Sequence, residues 1–344
     1  VTTKIASPSA QSNSPLSRLK REFAAVGLKA TDVLKSLPDW WKDALAHPSG
    51  IYEVRGFVAK HYGLAIGPGG ELQTRSLPSA CFKTRTGADV SVVAPARALA
   101  TAVAHIVANA AVPPWAGVLP SAAELREAFI ARSGKPWVGI DELLSACWER
   151  GVPVVYVPKL PVSQPKMDGM VTMCGDRPVI VVTKKVSHPA WMLFILAHEM
   201  GHLALGHLDT SAGGTIVDES ISEDDAFADG QEHEANRYAL RLLTGNGHQA
   251  LKLNHLMAAD ALANAARMYG RQHGIDPGHV ILNAVRNTKR DGKSLWPLGN
   301  AALGRLTSGG SDPAVSCRGA LRCHVDLDSL SDDSLDFLER LGVL

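Results

Sequence analysis

An excess of charge of one sign is the first thing the chain lacks: 35 Lys and Arg stand against 34 Asp and Glu. A formal net charge of +1 leaves no global field to select nucleic acid or an anionic membrane. Cysteine is scarce as well. The five present (Cys81, Cys147, Cys174, Cys317 and Cys323) are few and odd in number for 344 residues. That argues against a disulfide framework and for reduced thiols in a cytosolic chain. Cys317 and Cys323, with His324 adjacent, fit no common zinc spacing and have no second Cys/His pair. Long hydrophobic runs are missing too. The longest, ARALATAVAHIVANAAV at 96–112, falls short of a ~20-residue span and carries His105 and Asn109, so it reads as a packed helix. The polar start VTTKIASPSAQSNSP holds no apolar signal core, and no internal repeat is visible. The expectation is a cytoplasmic protein with no membrane partner.

What is present is ordinary globular material, 46% hydrophobic and 20% charged, enough for two or three units. Residues 1–14 read as a disordered tail. Residues 15–95 read as a helical accessory region, with Leu16, Leu19, Phe23 and Val26 as an apolar stripe and GIYEVRGFVAKHYGL as a second helix. Nine Lys/Arg against five Asp/Glu over residues 1–67 leave a helix-turn-helix-like pair open. Residues 96–288 hold the richest pattern. Ser121 with Glu124 is a capping box, and Gly151 ends the helix GIDELLSACWERG. Strand character follows in VPVVYVP, DGMVTMCG and RPVIVVTK, and then a helix from Pro189 to about Leu208. DTSAGGTIVDESISEDDAFADG reads as loop, QEHEANRYALRLL as helix, and 251–287 as two helices joined at GIDPG. Residues 289–344 read as a linker, low in pattern to 324, followed by a short amphipathic helix. The fold class is α+β: mostly helical, with a small sheet packed on one central helix and a helical N-terminal extension.

The chemistry lies in AHEMGHLALGH, residues 197–207, directly after the apolar run AWMLFIL. His198, Glu199 and His202 spell H-E-x-x-H. At about 100° per residue, His198 and His202 fall about 40° apart, one turn from each other, where two imidazoles can reach one zinc ion. Glu199 lies about 100° from His198, beside the metal and not on it, placed to act as the base. A solvated helix would not follow such an apolar run; a buried active-site helix would. His207, nine residues from His198, falls half a turn round if the helix continues and faces away, with a role near the last carbonyls. The longer H-E-x-x-H-x-x-G-x-x-H pattern needs Gly at 205 and His at 208, where this chain has Leu205 and Leu208.

A catalytic zinc takes three protein ligands and keeps one position open. EHEAN, 232–236, is the best source of the third. Glu232 and Asn236 share a face; Glu232 is placed to bind zinc and Asn236 to orient a ligand histidine from behind. Glu234 is about 200° from Glu232 and is expected to point elsewhere; His233 competes less well. DGMVTM is a strand that could hold an extended peptide by edge pairing. Tyr238 and His255 are conceivable oxyanion donors.

FILAHEMGHLALGH, EHEANRYALRLL, CWERGVPVVYVP with DGMVTMCGDRPVIVVTKK, and GIDPGHVILNAVR together resemble the ImmA/IrrE-type metallopeptidases, which have a glutamate-zincin core. The resemblance covers roughly residues 95–287. It implies a zinc-dependent endopeptidase with His198, His202 and Glu232 as ligands and Glu199 as base. It also implies a protein substrate, a helix-turn-helix repressor whose cleavage switches on stress or mobile-element genes. Compact members carry little before the catalytic core, whereas over ninety residues precede it here. Residues 15–95 are therefore expected to bind a protein or regulate access rather than supply strong DNA affinity, and a chain starting near residue 95 to keep the zinc site. A DNA-binding or toxin–antitoxin-type regulator with a structural or inactive metal site is the alternative; Glu199 discriminates, since a structural site has no use for a base.

Overall fold

The computed structural model describes residues 14–75, 81–83, 90–163, 167–186, 188–208, 214–218, 230–306 and 312–344. Apart from Ser14, the stretch read as a tail lies outside them. Helices come first: α1 (Pro15–Ala25), α2 (Ala30–Ser36), α3 (Trp41–Ala44) and α4 (Gly50–His61). The short strands β1 (Leu64–Ile66), β2 (Leu72–Thr74) and β3 (Cys81–Lys83) follow, then the helices α5 (Val90–Ala110), α6 (Ala122–Ser133) and α7 (Ile140–Glu149). The centre of the chain supplies β4 (Val154–Tyr156), β5 (Gly169–Cys174), β6 (Arg177–Val182), α8 (Pro189–Ala204), β7 (Thr215–Asp218) and α9 (Gly230–Thr244). After these come α10 (Ala259–His273), α11 (Pro277–Arg286), the two-residue strands β8 (Lys289–Arg290) and β9 (Lys293–Ser294), α12 (Trp296–Leu306), α13 (Pro313–His324) and α14 (Asp332–Arg340). The protein is mostly helical with small sheets, and the H-E-x-x-H helix packs on the largest of them, as in a zincin-like core.

Local chemistry fixes the helix ends. Ser121 Oγ accepts from the Glu124 N–H and Glu124 Oε2 accepts from the Ser121 N–H at 2.8 Å, the reciprocal capping box. Asp276 caps α11 by accepting from the His279 N–H at 2.9 Å, with Pro277 pre-set in the first turn.

The main sheet has the order β3-β7-β5-β6-β4. β6 pairs antiparallel with β5 and parallel with β4; β7 pairs antiparallel with β5 and parallel with β3. Both edges of β5 are therefore taken, Gly169–Thr172 by β7 and the whole strand by β6. β5 cannot add a peptide by edge pairing, contrary to the reading of DGMVTM, and the cause is β7, a strand inside the segment read as loop. Alternation along the strands divides the core. Val171, Met173, Ile180 and Val182 pack in one cluster with α8, while Met170, Cys174, Val179 and Val181 pack in another with α5. α5 is long and apolar enough to cross a membrane by composition, yet Leu99, Ala100, Val103, Ala104 and Val107 are fully buried in that second cluster.

The segment 289–324 is not an unpatterned linker. α12 packs with α10 and α11 in a third cluster that includes Ala190 of α8. α13 places Cys317 in the α8-side core and Leu321 in the α5-side core. Its apolar positions are few, interleaved with Gly, Arg and His, and that hid its helical period.

Candidate metal centre

Why can α8 carry ionisable groups into the core? Every residue from Met192 to His202 is buried, so the helix is apolar on all sides except where three side chains are needed. Its entry is fixed by Pro189 and by His188, whose Nδ1 accepts from the Ala190 N–H at 3.1 Å. Burial holds the His188 imidazole down, with a pKa of about 4. A neutral His188 keeps that acceptor lone pair. The exit is a Schellman turn. The His207 N–H bonds the His202 carbonyl at 3.0 Å and the Gly206 N–H bonds the Leu203 carbonyl at 3.3 Å, with Gly206 at φ 69°.

α9 meets α8 at Gly201. A Cβ there would lie 3.0 Å from both the Cα and the carbonyl oxygen of Ala235, so any side chain at this position would press on the α9 backbone. The close crossing brings the start of α9 against the histidines. Glu232 Oε1 lies 3.1 Å from His202 Nε2 and its Oε2 lies 3.4 Å from His198 Nε2. The two Nε2 atoms are 3.1 Å apart. Behind the pair, His198 Nδ1 meets Asn236 Oδ1 at 3.0 Å and His202 Nδ1 meets His207 Nδ1 at 3.0 Å. His198 and His202 are fully buried, and Glu232 is nearly so.

These distances test whether the residues suit a metal. An amide oxygen only accepts, so His198 Nδ1 carries the proton and its Nε2 presents a lone pair. With His202 in the same tautomer, two lone pairs and a carboxylate face one another in a buried space, and a cation is what such a set requires. Zinc–ligand bonds of about 2.0–2.1 Å at tetrahedral angles put ligand atoms roughly 3.3 Å apart, and the three separations here bracket that value. Burial alone pushes the Glu232 carboxyl up; positive charge beside it, on the two imidazoles when they are protonated, holds it below the ordinary range. His198, His202 and Glu232 are the His/Cys/Asp/Glu group that could hold a metal among the described residues. The arrangement is typical of zinc sites.

Glu199 is fully buried on the same helix and stands against β5. A Cβ on Gly169 would come within 2.1 Å of Glu199 Oε1, so the strand's first residue leaves the room that this carboxylate occupies. Sequence reasoning passed over that glycine.

The structure revises the roles of His207 and Glu234. α8 stops at Ala204, so helical phase no longer applies to His207; the turn at Gly206 folds it back onto His202. Glu234 does point away from the metal group, yet its Oε2 lies 3.0 Å from His207 Nε2. Gly206 was the signal: a glycine after an apolar helix marks such a turn. The other candidates are not brought in. His233 and His255 are exposed. The Tyr238 hydroxyl donates to the Pro120 carbonyl at 2.9 Å, and burial pushes its pKa well above the ordinary range.

The fold and this centre define a zincin-like α+β protein with a buried His-His-Glu metal site. No family model, curated protein or solved structure matches the chain.

Proposed function

We propose that the chain is a zinc-dependent endopeptidase. The observation that carries this reading is the convergence of two histidine Nε2 atoms and one glutamate at 3.1–3.4 Å, beside a buried Glu199 that is not one of the three. Three protein ligands is the number that a catalytic zinc takes, its fourth position being kept for water or substrate. A zinc ion there supplies Lewis-acid polarisation of a scissile carbonyl and of the attacking water. Glu199 takes that water's proton and passes it to the leaving amine, a relay one carboxylate can perform in both directions. Gly169 keeps space around the carboxylate, and the buried walls of α8 and β5 strengthen its electrostatics.

The substrate we propose is a helix-turn-helix repressor, the class that the resemblance to ImmA/IrrE-type metallopeptidases implies, and the outcome is release of a stress or mobile-element response in the cytoplasm. Cys147, Cys174, Cys317 and Cys323 are free thiols, which favours a reducing compartment. The test is to incubate the zinc-loaded protein with helix-turn-helix repressors from its own source, any encoded beside it first, and to sequence the fragments. A discrete cut, abolished by a chelator and by Glu199→Gln, is expected. An intact regulator after prolonged incubation contradicts the substrate, and a cut that persists in Glu199→Gln contradicts the mechanism.

A further inference from the structure

α9 carries three polar side chains at alternate positions: Glu232, Glu234 and Asn236. Glu232 and Asn236, one turn apart, share the face toward His198 and His202. Glu234 is on the other flank, where helical phase alone gives it nothing to do. The chain places a partner there. The Schellman turn at Gly206 brings His207 back over the end of α8, tied to His202 twice: its N–H bonds the His202 carbonyl and its Nδ1 meets the His202 Nδ1, both at 3.0 Å. Its far nitrogen, Nε2, meets Glu234 Oε2 at 3.0 Å.

The protons in this chain follow by elimination. A carboxylate only accepts, so His207 Nε2 carries a proton and donates to Glu234. In a neutral His207 the other nitrogen, Nδ1, is then an acceptor. The proton between the two rings must come from His202 Nδ1, which leaves His202 Nε2 as a lone pair aimed at His198 Nε2 and Glu232. On the other histidine Asn236 achieves the same result in one step, with an oxygen at 3.0 Å from His198 Nδ1. The two ligands are therefore set by different devices, a direct amide and a two-link relay. The relay ends on a carboxylate that is 58% exposed, while His207 itself is 5% exposed in its side chain.

We propose that His207 and Glu234 are a positioning pair that selects the metal-binding tautomer of His202 and fixes its ring. The proposal rests on the zinc reading above. A Glu–His contact between a helix and a turn, its carboxylate exposed, contributes little to stability by itself. This one has a consequence because its inner end is a fully buried ligand. Outer groups of this kind commonly control affinity by 10–100-fold.

The test measures zinc affinity by chelator competition for the full chain and for His207→Phe, His207→Gln and Glu234→Ala, with thermal melts of the zinc-free proteins as a folding control. Phe fills the space and cannot accept, whereas the Gln side-chain oxygen can accept from His202 Nδ1–H. His207→Phe is expected to weaken zinc about tenfold or more, Glu234→Ala less, and His207→Gln to recover most of the loss. Imidazole nitrogen NMR of the zinc-loaded protein is the second readout. A protonated His202 Nδ1 is expected in the wild type, with its signal broadened by exchange in His207→Phe. Wild-type affinity in His207→Phe overturns the proposal, and so do equal losses in His207→Phe and His207→Gln, which would mean packing alone. Failure of the zinc reading is seen separately, as a wild-type chain that takes up no zinc at this site.

Discussion

Glu199 owes its position to a neighbour with no side chain. Gly169 opens β5 directly beside its carboxylate, and a methyl group there would overlap Oε1 at 2.1 Å. Gly169→Ala is therefore expected to displace Glu199 without touching a ligand. Turnover should fall by about 10²–10⁴, the span that general acid–base catalysis contributes, with zinc content unchanged. Glu199→Gln should give the same pattern; a Gly169→Ala variant with wild-type turnover would show that the room is not needed. A second buried residue sets a pH dependence. His279 is buried, stacks on Phe194 at 5.9 Å between ring centres, and among the described residues neither of its ring nitrogens meets a hydrogen-bond partner. Burial lowers its pKa from 6.5 to about 4. Between those values the unfolded chain binds the proton and the folded chain does not. Its stabilising share is thus complete above the unfolded pKa and lost as pH falls toward the folded one, by at most roughly 3 kcal/mol. Thermal melts of the zinc-free protein from pH 7 to pH 4 should show this decline, and His279→Phe should flatten it; parallel curves for the two proteins would refute the assignment.

Among the elements, α8 and α9 carry the centre, and one glycine sets their distance. Valine at Gly201 would press on the Ala235 backbone and on Tyr238 Cβ, 3.0–3.2 Å from the new Cβ. Overpacking of this kind costs about 1–3 kcal/mol. If the helices relieve it by moving apart, Gly201→Val weakens zinc binding about tenfold or more while both histidines and Glu232 remain; undiminished affinity would show that the crossing does not set the ligand geometry. These two helices were legible in the sequence, since i, i+4 spacing is a local property and so is an apolar run of seven residues. α6 was legible for the same reason, through Ser121 and Glu124. β7 was not. Its four residues, TIVD, sit among Gly, Ser and acids, and their order comes from β5, more than forty residues upstream. α13 was hidden because it shares itself between two cores, with Cys317 on one side and Leu321 on the other, which blurs a single stripe. His207 was misplaced by extending a helix through Gly206, where the backbone turns left-handed.

At the scale of the whole molecule, the N-terminal helices are not an appendage. Leu19, Phe23, Val33, Val54 and Val58 are fully buried in the same cluster as Leu99 and Val103 of α5 and Val155, Val179 and Val181 of the sheet. Arg55, 2% exposed, holds Glu22 at 2.5 and 3.0 Å, and Glu22 also accepts from the Leu72 N–H, so α1, α4 and β2 are tied together. This changes the expectation for a chain starting near residue 95. Removing residues 1–94 uncovers buried apolar side chains of α5 and takes β3 from the edge of the main sheet, and the truncated protein should be poorly soluble, with a broadened or absent thermal transition. A soluble, cooperatively melting product with wild-type zinc affinity would show that the N-terminal helices are dispensable for the fold.

Metal content is the most direct measurement of the centre itself. The purified full chain, saturated with zinc and dialysed, should hold one zinc per chain, coordinated by two imidazole nitrogens and oxygen at about 2.0–2.1 Å in X-ray absorption. His198→Ala, His202→Ala and Glu232→Ala should each lose most of it, while Glu199→Gln keeps it. Full stoichiometry in His198→Ala or His202→Ala, or a wild-type chain that holds no zinc, would contradict the metal centre and the peptidase reading with it.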